Sequence, residues 1–221
     1  MRKPLISSIT KKLFMAISGA GFVLFLLFHG TMNFVSIISS EAYEGICNFL
    51  GANWYAVAAT LILAFLAAFH VFFALVLSVG NFIARGRVRY TMMKKPKEVS
   101  WASRNMLVLG ILVLSGLLLH LFGFWYKMQF AELIGRQAAN GMELIVSMFS
   151  NNVYSILYLL WLTALWFHLS HGLWSMLQSL GWNSERWKRR WQIIGLVIAT
   201  LLVLPFACVV VNFWLINPIN I

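Results

Sequence analysis

The sequence predicts an all-α integral membrane protein, a bundle of five transmembrane helices with its N-terminus in the cytoplasm and its C-terminus outside. Three observations carry this. The composition is 61% hydrophobic and 10% charged, the apolar residues fall into five long runs, and the basic residues lie almost entirely on one side of those runs. No soluble globular domain shows that balance, so the bilayer is the solvent to reason with.

The spans are expected at about residues 13–38, 54–83, 106–126, 153–180 and 192–215. Crossing a hydrocarbon core about 30 Å thick takes roughly 20 residues at 1.5 Å per residue, and each run is long enough to do so as a helix, which bonds all its own backbone groups in lipid. The first run is too long for the apolar core of a secretory signal and has no small-residue cleavage site after it, so no cleavable leader is expected. The connections are short, and residues 1–221 are expected to form a single membrane domain.

Orientation follows from charge. Arg2, Lys3, Lys11 and Lys12 precede the first span. Arg85, Arg87, Arg89, Lys94, Lys95, Lys97 and Arg104 lie between the second and third, and Arg186, Lys188, Arg189 and Arg190 between the fourth and fifth. Only Lys127 and Arg136 are on the other side, with Glu41, Glu44, Glu132 and Glu143. The positive-inside rule puts the basic side in the cytoplasm, with the chain expected as a multi-pass protein of the cell's inner membrane. The net charge of +11 is therefore first a topology signal. No nucleic acid is expected as a partner, because the basic residues flank spans and no recognition module accompanies them. A basic cytoplasmic face also suits anionic lipid or an acidic partner subunit, with the polar loop containing Pro96 as the docking surface. Cys47 and Cys208 lie far apart in this topology and are not expected to form a disulfide.

All five histidines fall inside spans: His29 in the first, His70 in the second, His120 in the third, His168 and His171 in the fourth. An ionisable group at membrane depth is costly and faces the bundle interior with a partner. For any one of them a bond to a neighbouring carbonyl suffices. One histidine on each of four consecutive helices is what a bundle needs to supply two pairs of axial ligands. A zinc site would want ligands gathered at one level with Cys, Asp or Glu nearby, which the spans do not offer.

Depth separates the pairs. His29 is 17 residues from Lys12 and 12 from Glu41, and His120 is 16 from Arg104 and 7 from Lys127, so both lie toward the outside. His70 is 15 residues from Arg85 and His168 is 14 from Trp182, placing them deeper toward the cytoplasm. The expected pairs are His29 with His120 and His70 with His168, fitting two stacked haems. Iron held by histidine on both faces has no open position for oxygen chemistry, which leaves electron transfer. Gly19, Gly30, Gly110, Gly116, Gly123 and Gly172 either admit a porphyrin or serve ordinary helix packing. Arg104 and Lys12 are placed to meet anionic propionates, or to snorkel to headgroups. Trp54, Trp125 and Trp182 read as interfacial anchors.

The stretches "KKLFMAISGAGFVLFLLFHGTMN", "AFHVFF", "SRNMLVLGILVLSGLLLHLFGF" and "FHLSHGLWSMLQSLGW" resemble the cytochrome b membrane-anchor subunit of succinate dehydrogenases and fumarate reductases, in its single-chain, five-helix, di-haem form. The specific features are His29 with Asn33, the Ser103-Arg104-x-Met106 start of the third span, and the segment from Phe167 to Ser175. The resemblance implies His29, His70, His120 and His168 as ligands of two haems b, and Arg104, Lys12, Ser18 and His171 as further cofactor contacts. His171 bonds a propionate, a quinone or simply a backbone carbonyl. Ala74 stands where relatives often have glycine, and His171 where they can have asparagine.

The same resemblance implies a flavoprotein subunit and an iron–sulfur subunit on the cytoplasmic face, as in respiratory complex II of the tricarboxylic acid cycle. Electrons then pass between the iron–sulfur subunit and a membrane quinone, expected to be menaquinone. Glu44 is expected to handle quinone protons, with Glu41 as the alternate. This chain would hold no dicarboxylate site, and the whole complex could dimerise. Two rivals stay open: a di-haem cytochrome b subunit of another quinone-linked enzyme, such as a formate dehydrogenase, hydrogenase or nitrate reductase, and a proton-coupled transporter.

Overall fold

In a computed structural model the described residues are 7–85, 100–182 and 184–216. They are helical almost throughout, with no strand among them. Five helical segments are long and apolar enough to cross a membrane: Ile9–Ile38, Trp54–Ala84, Met106–Leu133, Asn152–Ser179 and Glu185–Leu215. Most of the loop proposed for docking, residues 86–99, lies outside the described residues, as do Arg2 and Lys3.

Local chemistry sets the boundaries. Helix α1 (Ser8–Ile38) starts at Ser7, whose hydroxyl accepts from the Thr10 amide at 3.1 Å. It stops where Ser39 turns extended, and the Ser39 hydroxyl then accepts from Ala42 to open α2 (Ser40–Leu50). The second span is α3 (Trp54–Arg85). A short α4 (Trp101–Arg104) leads into α5 (Met106–His120), which continues as a π-helical stretch (Leu121–Phe130) and a last turn, α6 (Ala131–Leu133). Asn140 caps α7 (Gly141–Phe149) by accepting from Met142 and Glu143, and Asn151 caps α8 (Asn152–Ser179) in the same way through Val153. Helix α8 ends at Gly181, whose φ of +95° only glycine adopts freely. Helix α9 (Glu185–Val211) follows and finishes in a second π turn (Asn212–Ile216).

Two of these elements depart from the expected short connections. Helices α2 and α7 occupy what would be outer loops, and α7 is buried along most of its length, with Ile145 only 1% exposed. Its Phe149 closes that end of the core together with Tyr43 and Tyr158. The fifth span also begins earlier than hydropathy marks, because a helix continues past the apolar boundary through Arg186–Arg190.

Packing is uneven. Lipid competes equally for apolar side chains, so spans associate where small residues let backbones approach. Gly195 of α9 meets Leu173, the Trp174 amide and the Ser170 carbonyl of α8, and Gly30 of α1 meets Phe206 of α9. Helices α1, α8 and α9 thus form the dense part of the bundle, while α5 packs on α8. Helix α3 packs mainly along α1 and is the least buried span, at 6% against 33% for α8.

Candidate functional site

The four expected ligands form two close pairs across the bundle. The rings of His29 (α1) and His120 (α5) have centroids 5.8 Å apart and nearly perpendicular planes, at 83°. Those of His70 (α3) and His168 (α8) are 6.4 Å apart, at 58°. Two imidazoles on one metal ion, each with nitrogen about 2 Å from it, have centroids roughly 6 Å apart. Both separations match that requirement. Moreover, α1 with α5 and α3 with α8 are helix pairs that do not otherwise pack along each other. The imidazoles therefore meet between helices that share few other contacts. Among the described residues no three His, Cys, Asp or Glu side chains gather as a metal set.

Each ring is held by its own neighbours. His29 stacks on Phe25 at 5.0 Å and is flanked by Phe206. The Asn33 side-chain amide donates to the His29 backbone carbonyl at 2.8 Å and lies 3.4 Å from both ring nitrogens, while the Tyr43 hydroxyl donates to Asn33 Oδ1 at 3.4 Å. His120 stacks on Phe124 and lies beside Trp161, whose indole N–H donates to the Val113 carbonyl at 3.0 Å. His70 has Nδ1 2.9 Å from the Ser18 hydroxyl and meets Phe22 edge-on. The buried Nδ1 atoms of His168 and His171 have no hydrogen-bond partner among the described residues. Buried polar atoms in that condition are rare in folded proteins.

The glycines sort into two kinds. A methyl on Gly116 would run into the Trp161 ring, and one on Gly123 into Met148, so these serve helix packing. Gly30 does likewise against Phe206. By contrast Gly19 and Gly110 face the histidines themselves: a methyl there would sit 3.9 Å from Cε1 of His70 and of His168 respectively. Gly172 faces open space.

Lys12 and Arg104 are exposed at the basic end of the bundle. Each lies six residues before the position that meets the inner pair, Ser18 for Lys12 and Gly110 for Arg104, a rise of about 9 Å. At the opposite end Glu44 is half-buried on α2 and Glu41 is exposed. Burial first, then the Glu44 charge, pushes the Cys47 thiol above its ordinary range, against the opposing hydrogen bond from Tyr43. Cys47 and Cys208 are both free thiols.

Two polar residues at this level were not anticipated. Gln129, on the π stretch and 9% exposed, accepts from Thr60 at 2.7 Å and Trp125 at 2.8 Å, and donates to the Gly51 carbonyl at 2.9 Å. It ties the third span to α3 through Thr60 and to the turn before α3 through Gly51. The Tyr158 hydroxyl, 4% exposed as a residue, is buried without a partner beside His120. Three aromatic rings, Phe124, Phe149 and Trp161, surround it.

A family model described as the succinate dehydrogenase/fumarate reductase transmembrane subunit matches residues 86–204, more than half of the 221 residues. The matched segment contains Arg104, His120, His168 and His171, and leaves Lys12, Ser18, His29, Glu44 and His70 outside it. No curated protein and no solved structure gives a significant match.

Proposed function

The chain belongs to the family of succinate dehydrogenase/fumarate reductase transmembrane subunits, and from that premise we propose that it is the di-haem cytochrome b anchor of such a complex. The reading rests above all on one observation: two imidazole pairs, with centroids 5.8 and 6.4 Å apart, bridge helices that otherwise stand apart. His29 and His120 would hold the outer haem b, and His70 and His168 the inner one. Bound there, the two haems supply one-electron carriage across the bilayer.

The residues of the chain do the rest. Lys12 and Arg104 offer cations at the basic end to anionic propionates of the inner group. Phe25, Phe206, Phe124 and Trp161 line the outer pair and exclude water, which keeps the local dielectric low. The unpartnered Nδ1 of His171, one helical turn from His168, would gain an acceptor from a propionate of the bound group. The basic end faces the cytoplasm in this reading and receives the flavoprotein and iron–sulfur subunits, which carry the dicarboxylate chemistry. A membrane quinone, menaquinone by preference, exchanges electrons at the opposite end, where Glu44 would accept or release the accompanying protons.

The test is a reduced-minus-oxidised spectrum of the purified complex with a haem count per polypeptide. Two b-type haems per chain are expected, and Glu44→Gln is expected to slow quinone turnover while leaving both haems in place. A complex purified intact from cells with adequate haem, yet holding none, overturns the reading.

A further inference from the structure

We propose that Ser18 is a positioning residue that fixes His70 in the Nδ1–H tautomer and makes it the more electron-donating imidazole of the inner pair; the inference rests on the haem reading above. Ser18 is 1% exposed, and its hydroxyl oxygen lies 2.9 Å from the Phe14 carbonyl, 3.1 Å from the Met15 carbonyl and 2.9 Å from His70 Nδ1. A hydroxyl has one proton. Two carbonyl oxygens at that range demand it, since without it three oxygens would face each other in a low-dielectric site. The third neighbour must then be a donor. His70 Nδ1 therefore carries hydrogen, and Nε2 is left as the ring's lone pair.

The rest of the ring is held from the same helix. Phe22 meets it edge-on with centroids 5.6 Å apart, and Gly19 leaves room beside Cε1. Ser18, Gly19 and Phe22 thus form one contiguous seat on α1 for a side chain of α3. His168 has nothing comparable: its Nδ1 is buried without an acceptor among the described residues. An acceptor behind an imidazole raises its basicity as a ligand and favours the oxidised metal. The two imidazoles that would hold the inner group are therefore unequal by construction, and the inequality comes from one hydroxyl.

The experiment is a redox titration of both haems in the intact complex, with electron paramagnetic resonance of the oxidised low-spin signals, for wild type, Ser18→Ala and Ser18→Thr. Ser18→Ala is expected to shift upward the midpoint potential of one haem, the one lost in His70→Ala, and to move its low-spin signal. The other haem should be unmoved, and Ser18→Thr, which keeps the hydroxyl, should titrate close to wild type. Unmoved potentials in Ser18→Ala, a shift in the haem lost with His29→Ala instead, or equal shifts in the alanine and threonine variants would each overturn the inference while leaving two haems in place. A wild-type complex without haem overturns the proposed function and this inference together.

Discussion

Gly116→Ala should damage the outer histidine pair without touching either histidine. The new methyl would lie inside contact distance of Cδ1, Cγ and Nε1 of Trp161. These atoms sit at the base and edge of a rigid indole, not at the end of a flexible chain, so the ring must move as a whole. Overpacking of this kind costs about 1–3 kcal/mol. Displacing the indole also breaks its bond to the Val113 carbonyl, worth about 0.6 kcal/mol between membrane helices. A loss near 2 kcal/mol is expected, roughly 30-fold in the folding equilibrium. Because the indole centroid is 5.8 Å from His120, the proposed haem at the His29–His120 pair would show a broadened or shifted spectrum while the one at the His70–His168 pair stays fixed. Stability is read by denaturant titration in mixed micelles, in a cycle with Trp161→Ala. In the Trp161→Ala background, Gly116→Ala should cost close to nothing. A cost below about 0.5 kcal/mol in the native background, or equal costs in both, would refute the reasoning.

His29→Ala and His120→Ala should remove one and the same haem, and His70→Ala and His168→Ala the other, as read in redox difference spectra. Both haems surviving His168→Ala while one is lost in His171→Ala would reassign the ligand. Tyr158→Phe removes a buried hydroxyl without a partner and should leave the haem-free chain as stable or more stable by about 1 kcal/mol in denaturant titration; a clear loss would reveal a partner for that oxygen. Alkylation of Cys47, measured with Cys208→Ser, should still be accelerating at a pH where a free cysteine thiol has levelled off. Only the thiolate reacts, and burial with the Glu44 charge delays its formation; a profile that levels off together with that of free cysteine would contradict that.

The five spans were legible because each is an apolar run that must satisfy its own backbone, and that constraint leaves little choice of conformation in lipid. Counting residues from charged flanks was enough to sort His29 with His120 and His70 with His168 by depth, and these are the rings that meet. What escaped was anything that depends on azimuth or on a single hydrogen. Nine residues of α-helix turn about two and a half times, so ordinary periodicity sets Gln129 on the side opposite His120. A π-helix closes its turn in roughly 4.4 residues, so the same nine residues make about two full turns. Gln129 therefore comes round to the histidine side and is buried. Helix α7 reads as a loop because it is too short to announce a span, although Asn140 is a recognisable cap. The tautomer of His70 could not be read from spacing, since serines in membrane helices bond their own carbonyls whether or not anything else is near.

The loose seating of α3 bears on how such a subunit is made. Inside a bilayer a helix can part from its neighbour without exposing apolar surface to water, so moving α3 aside forfeits its contacts with α1 and the Thr60–Gln129 hydrogen bond but little else. Helices α1, α5, α8 and α9 can settle into their final arrangement while α3 still swings in the plane of the membrane. On the haem reading, a flat prosthetic group would have its way in from the lipid beside this helix, and His70 would complete the site as α3 packs onto α1.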